Sequence, residues 1–311
     1  MKKIAVEEHW SSPDVRVVEP SIDPKSVALA PVRAKDIEQF RLPLMNEYGI
    51  EMQVLNATSP QVDAAAEVAA FKETNDALAE QVKKYPGRFA GFAALPMQEP
   101  KAAADELERA VTQLGFKGAM LKGIANGEFY DLQKYWVVWE RAEALGVPIY
   151  LHPSGAPIPE SKKLYEGRPE LIGPIWSWTV ETATDALRII ASGLFDTFPK
   201  SMLMLGHLGE TLPFLLGRFD EGYGMSLKSV KLKKPFSHYI KENIVVTTSG
   251  KYKPEALLCA IGALGADRVL FAVDYPWVPP NEGVECFENT PMSDSDREKI
   301  YHLNAERLLK L

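Results

Sequence analysis

The chain has five histidines, and three of them, His9, His152 and His207, each end a short apolar run, at residues 4–9, 148–152 and 202–207. Asp274 ends another run, 269–274, and Glu7 lies two residues before His9. Neutral imidazoles and carboxylates are ligands that suit zinc, manganese, iron or cobalt, so these side chains, once brought together, would grip a divalent cation. Residues i and i+2 of a strand point to one side, so Glu7 and His9 are expected to share a face. Taken singly, each has a blander reading. A lone histidine at a strand end is commonly a hydrogen-bonded structural residue, Glu7 alone is a solvated charge, and Asp274 alone caps the turn ahead of Pro276. Taken together, residues of these types at the ends of separate runs point to one shared site. His238, after the basic 228–234 stretch in an expected long loop, and His302, in the last helical segment, carry no such signal and are expected to be structural or on the surface.

The elements that must position these residues are legible as a pattern. Eight short apolar runs occur, at 4–9, 51–57, 89–96, 118–123, 148–152, 202–207, 244–250 and 269–274. Several are almost continuously apolar, such as Met-Leu-Met-Leu at 202–205, as in strands buried on both faces of a parallel sheet. Between them lie segments with helical periodicity, at 34–48, 62–85, 100–114, 133–145, 180–196, 210–220, 253–264 and 293–310. In 100–114, Pro100 suits the first turn, Leu107, Val111 and Leu114 share a face, and Gly115 supplies the stop. In 34–48, Pro43 predicts a kink or a late start. Strand followed by helix, eight times over, predicts an α/β fold of the (β/α)8 TIM-barrel type, one domain over residues 1–311. A doubly wound sheet is the runner-up, but no Gly-rich phosphate loop follows the first run. In a barrel the C-terminal ends of all strands meet at one mouth, which is where the histidines and carboxylates fall. The longer segments 10–32, 153–178 and 221–243 are expected to form the walls of that mouth.

Composition narrows the function. The 311 residues are 46% hydrophobic and 25% charged, values of an ordinary globular chain. The net charge is −7 with no basic block, which argues against a nucleic acid or an anionic membrane as partner. The two cysteines, Cys259 and Cys286, are too few for a disulfide framework. Lys2 and Lys3 lead into only three apolar residues, Ile4, Ala5 and Val6, well short of a secretory signal. A soluble cytoplasmic protein is expected.

The motifs Glu7-x-His9, Tyr150-Leu151-His152-Pro153, Gly206-His207-Leu208-Gly209-Glu210 and Val273-Asp274-Tyr275-Pro276 resemble the metal-dependent amidohydrolase superfamily. More narrowly, they are similar to its branch of non-oxidative decarboxylases, which includes the γ-resorcylate, 2,3-dihydroxybenzoate and aminocarboxymuconate semialdehyde decarboxylases. The likeness also covers Arg88-Phe89, Ala93 to Pro96, Ser192 to Asp196 and Thr247 to Gly250. The resemblance implies that Glu7, His9, His152 and Asp274 bind one divalent metal, zinc or manganese, with His207 and Glu210 as acid–base partners beside it. It also implies that Arg218 contacts substrate, against the plainer reading of a surface ion pair with Asp220 or Glu221. The implied reaction is loss of CO2 from a hydroxy-substituted aromatic or heteroaromatic carboxylic acid, with Asp274 as the acid that protonates the ring. Homodimers or homotetramers are expected by the same resemblance.

Aromatic side chains fit that substrate. Trp10 and Trp277 lie within three residues of proposed ligands and are expected to line a flat slot, with Trp176 and Trp178 as further candidates. Trp136 and Trp139 read as packing residues. Lys122 stands where the benzoate decarboxylases have an asparagine. Two roles are open to it: pairing with a second carboxylate on the substrate, or carbamylation to bridge two metals. The latter would make the protein a hydrolase of a cyclic amide, lactone or ester. The Glu-x-His of the first strand, in place of His-x-His, argues for the former. A non-catalytic binding barrel is the third possibility.

Overall fold

The structure is a computed structural model that describes the chain apart from residues 13–21, 26, 61, 126, 155–158 and 251–252. The expected wall segments 10–32 and 153–178 thus lie partly outside the described residues. Eight parallel strands follow one another around a single sheet in chain order. They are β1 (Ile4–Trp10), β2 (Met52–Ala57), β3 (Phe89–Ala94), β4 (Ala119–Lys122), β5 (Ile149–His152), β6 (Leu203–Leu205), β7 (Ile244–Thr247) and β8 (Val269–Leu270). Backbone bonds from Val6 N to Phe271 O (3.0 Å), from Asp274 N to Glu7 O (3.1 Å) and from His9 N to Tyr275 O (2.7 Å) tie the last strand and its extension back to the first. The result is the expected (β/α)8 barrel.

Helices fill the intervals: α1 (Ala30–Lys35), α2 (Arg41–Glu47), α3 (Ala64–Lys84), α4 (Pro100–Thr112), α5 (Trp136–Leu145), α6 (Ser177–Ala191) and α7 (Leu194–Thr197). They continue with α8 (Leu216–Met225), α9 (Phe236–Asn243), α10 (Pro254–Leu264), α11 (Pro280–Glu288), α12 (Asp294–Glu298) and α13 (Asn304–Leu309). α4 forms as its pattern demands, with Pro100 in its first turn and Ala103, Ala104, Leu107 and Ala110 turned inward. The 34–48 segment is two helices. The Asp36 carboxylate accepts from the backbone N–H groups of Gln39 (3.1 Å) and Phe40 (2.6 Å), so α2 starts late and Pro43 falls in its first turn, where no N–H is needed. His238 lies on α9 and not in a loop. No helix of the described residues is long and apolar enough to cross a membrane.

The lumen is packed, not open. Val54, Phe92, Met120, Tyr150, Met204 and Val245 fill it, and Ala305 and Leu309 of α13 belong to the same buried cluster. The other strand face, with Leu55, Leu121, Leu151 and Leu205, packs on the helices. β1 breaks the simple alternation. Its pairing with β2 shifts register between Ala5 and Glu8. Ile4 and Val6 face the lumen, and after the shift His9 is directed at the mouth while Glu8 and Trp10 turn outward.

Outside the lumen, that outward turn creates a buried polar network. Arg41, 1% exposed, donates through Nη1 to Gln53 Oε1 (2.9 Å) and through Nη2 to the His9 carbonyl, and its guanidinium lies 4.5 Å from the Tyr275 ring centroid. Gln53 Nε2 donates to Glu8 Oε2 (3.0 Å), and Val273 N donates to Glu8 Oε1 (2.9 Å). α2, β1, β2 and the end of β8 are thus joined behind the mouth. Removing the buried Arg41 guanidinium leaves Gln53 Oε1 and the His9 carbonyl without this donor, at roughly 1–3 kcal/mol for each buried acceptor left unsatisfied. Arg41→Met is therefore expected to lower the urea-unfolding free energy by a few kcal/mol, roughly the sum of those two losses. An Arg41→Met protein as stable as wild type would contradict this.

Candidate metal centre

β1, β5 and the extension of β8 deliver four polar residues to the mouth. Glu7, His9, His152 and Asp274 are all buried, and one ligand atom from each lies within 4.8 Å of every other. Opposite ligands at about 2.1 Å from one ion stand about 4.2 Å apart, so the set is close to the size of a cation site. Glu7 Oε2 accepts from the hydroxyls of Tyr150 and of Thr247 (3.0 Å for the latter). Glu7 Oε1 is buried with no hydrogen-bond partner among the described residues, and lies 3.6 Å from His152 Nε2 and 3.8 Å from His207 Nε2. His152 Nδ1 is 2.9 Å from the Pro153 carbonyl, which can only accept, so Nδ1 carries the proton and the Nε2 lone pair is left for a ligand bond. An orphaned carboxylate oxygen and a lone pair directed at the same point fit a divalent cation.

The charge states of the two imidazoles and of Asp274 agree. Burial, with the nearby His9 and Lys122, holds His152 well below the ordinary histidine range, and burial also lowers His9, so both imidazoles are neutral. Burial pushes the Glu7 carboxyl up, with His207 pulling it down. Asp274 is held below the usual carboxylate range because the imidazoles of His207 and His9 outweigh burial. His9 Nε2 lies 3.0 Å from Asp274 Oδ1.

His207 stands apart from the four. Its Nδ1 bonds Glu210 Oε1 (2.6 Å), Thr179 Oγ1 donates to Glu210 Oε2 (2.8 Å), and its Nε2 reaches to 3.9 Å from Asp274 Oδ2. Burial works against the imidazolium, but Glu210 and Glu7 outweigh it, and His207 is held well above its ordinary value. His207, Leu208, Glu210 and Thr211 all have positive φ, between 51° and 70°, as does Asp274 at 74°. Non-glycine residues adopt this conformation at a cost, and it turns the chain back sharply enough to aim both His207 and Glu210 inward. It also explains why the helix expected over 210–220 starts only at Leu216.

A cavity of about 390 Å³ adjoins these groups, bounded by His207, Glu210, Asp274, Trp178, Trp277 and Thr179 among others. Trp277 is placed as expected, its ring centroid 6.5 Å from that of His9. Trp178 also lines the cavity, and its indole N–H is buried without a partner among the described residues. Trp10 does not. Strand alternation sends it away from His9 into the core between barrel and helices. Trp176 is half exposed and outside the cavity lining, while Trp136 packs on Phe198 and Trp139 on Phe195. Lys122 ends β4 in register with His152 and is half-buried. Arg218 lies on the exposed side of α8 and is not among the residues lining the cavity, so this chain does not bring it to its own site. Asn56, Thr247, Ser249, Tyr150 and Thr179 are the contributors that sequence reading missed. Asn56, Thr247, Tyr150 and Thr179 are ordinary strand and helix residues, Ser249 follows β7, and each meets a partner far along the chain.

The amidohydrolase family model matches residues 29–311. The chain belongs to the amidohydrolase family. Among family members, it is 42% identical to the γ-resorcylate decarboxylase of Polaromonas sp., over 99% of this chain and 98% of that protein. A crystal structure of a 2,6-dihydroxybenzoate decarboxylase complexed with 2,6-dihydroxybenzoate superposes with a TM-score of 0.93 at 38% identity, covering 100% of this chain and 99% of the other. The dihydroxybenzoic acid decarboxylase from Polaromonas sp., with bound manganese and the inhibitor 2-nitroresorcinol, gives a TM-score of 0.94 at 40% identity, covering 100% and 97%. As an amidohydrolase fold, the barrel carries its polar groups at the expected end.

Gly206 tests how tightly this centre is built. A Cβ there would lie 2.8 Å from the Tyr150 hydroxyl, 2.9 Å from Glu7 Oε2 and 3.1 Å from Ser249 Oγ. Gly206→Ala is expected to displace the Glu7 carboxylate and cost about 1–3 kcal/mol, the usual price of overpacking. Thermal unfolding read beside Gly222→Ala, where an added Cβ meets nothing within 4 Å, separates crowding from loss of glycine; equal midpoints would contradict it.

Proposed function

We propose that this amidohydrolase is a divalent-metal-dependent, non-oxidative decarboxylase of a hydroxy-substituted aromatic carboxylic acid of the dihydroxybenzoate type, releasing CO2. The observation that carries the reading is the buried Glu7–His9–His152–Asp274 set beside a tryptophan-walled cavity, in a chain 38–42% identical to dihydroxybenzoate decarboxylases. Glu7, His9, His152 and Asp274 would hold the metal, and manganese is supported by the relative that contains it. When bound, a divalent ion there supplies a Lewis acid and a template for an adjacent phenolic oxygen and carboxylate.

The protein's own groups do the rest. Trp178 and Trp277 form apolar walls that exclude water and fit a flat ring. The reserve proton sits on His207, where Glu210 fixes Nδ1 and leaves Nε2–H directed toward Asp274. Asp274, held ionised by its imidazole neighbours, is the carboxylate through which that proton reaches the ring. The proton adds to the carbon bearing the carboxylate, the bond from that carbon to CO2 breaks, and its electron pair restores the aromatic ring. The hydrolase alternative has less support, because the similar proteins compared above are decarboxylases. The reading extends to a homo-oligomer, supported by the apolar side chains Phe214, Met225 and Leu227, each at least 77% exposed. Light scattering that finds monomers at micromolar concentration would remove that part.

The deciding experiment supplies Mn2+ to chelator-stripped protein and measures CO2 release across a hydroxybenzoate panel that includes 2,6-dihydroxybenzoate. Release is expected only with metal, and Asp274→Asn or His207→Asn should lower kcat by about 100-fold or more. No release from any member of the panel, or unaltered turnover in Asp274→Asn, overturns the corresponding part of the proposal.

A further inference from the structure

His9 uses both ring nitrogens. Nε2 lies 3.0 Å from Asp274 Oδ1, and Nδ1 lies 2.8 Å from the amide nitrogen of Asn56. A neutral imidazole has one N–H and one lone pair. In this arrangement the proton is on Nε2, donated to the carboxylate, and the Nδ1 lone pair accepts from Asn56. A cation held by Glu7, His9, His152 and Asp274 needs the lone pair of Nε2, the His9 nitrogen that faces Asp274. The proton must then be on Nδ1, where it meets the Asn56 N–H, donor against donor.

Asn56 carries the remedy. Its Oδ1 is buried with no hydrogen-bond partner among the described residues, although Nδ2 is engaged. A half-turn about its Cβ–Cγ bond exchanges the two atoms and presents the oxygen to Nδ1–H. The sheet fixes the pair in place, since His9 and Asn56 are register partners across β1 and β2 and both are buried. We propose that Asn56 is a positioning residue for the metal, its carboxamide turning over to select the His9 tautomer that leaves Nε2 free to ligate. An amide can serve both tautomers, donating to a bare Nδ1 and accepting from Nδ1–H; a carboxylate can serve only the second. The inference rests on the reading of these four residues as metal ligands.

Mn2+ dissociation constants by equilibrium dialysis test it on wild type, Asn56→Leu and Asn56→Asp. Leucine keeps the shape and removes the acceptor, and aspartate keeps the acceptor. Leucine is expected to weaken binding about 10–100-fold, and aspartate to bind at least as tightly as wild type. The 15N signals of His9 in the Zn2+-loaded wild type should show a protonated Nδ1, a readout that does not depend on any variant folding. Packing alone would not distinguish the two substitutions in this way. Leucine binding Mn2+ like wild type, equal losses in both variants, or a protonated Nε2 in the loaded protein would each overturn the assignment. A wild-type protein that takes up no Mn2+ removes this inference together with the metal reading, and is told apart by failing before any variant is compared.

Discussion

Two carboxylates, Glu7 and Asp274, share a buried barrel mouth with ligand oxygens no more than 4.8 Å apart. When both are ionised, at an effective dielectric near 20, two unit negative charges at that distance repel by roughly 3–4 kcal/mol, and burial pushes the Glu7 carboxyl up to about 7. Every neighbouring group answers that repulsion. Tyr150 and Thr247 donate to Glu7, His9 bonds Asp274, and His207 supplies a positive charge within 4 Å of both carboxylates. Glu210 then holds His207 charged. The arrangement is unsuited to apolar packing and well suited to a small, highly charged cation, which is why the lumen changes from Phe92, Met120 and Met204 to ionisable residues along one strand length.

That change depends on a backbone irregularity. With uninterrupted alternation from Ile4 and Val6, His9 would face the helices and Glu8 the mouth. The register shift in β1 exchanges them. Glu8, displaced outward, then needs partners, and Gln53 and the Val273 amide provide them, with Arg41 in turn donating to Gln53. The same guanidinium holds the His9 carbonyl and covers the Tyr275 ring, so the outer network stiffens the two strands that carry His9 and Asp274. A buried arginine in α2 is therefore part of the foundation of the mouth, even though it contacts nothing inside it.

The fold was legible because a buried parallel strand is written as a local apolar run, and each of the eight runs became a strand. The four convergent residues were legible for a related reason: His9, His152 and Asp274 end their runs, Glu7 shares a face with His9 two residues on, and strand ends of a barrel meet. What resisted reading depends on distant partners. Asn56 matters only beside His9, Arg41 only beside Gln53 and the His9 carbonyl, and nothing near them in sequence marks them. Trp10 is different, because its misplacement follows from a local rule. The period of two that brings Glu7 and His9 together also sends the next residue away. Arg218 shows the opposite limit: a motif resemblance supplies a residue type, but the exposed side of α8 decides where it points.

Lys122 adds a positive charge at the C-terminal end of β4. An asparagine at the end of β4 would offer hydrogen bonds without charge. Lysine puts an ammonium in register with His152 and close enough to depress the basicity of both His152 and His9. Lower basicity keeps these imidazoles neutral across a wider pH range, which favours ligation. The same positive charge raises the local potential felt by an approaching anion. The lysine thus favours the neutral, ligating form of both histidines.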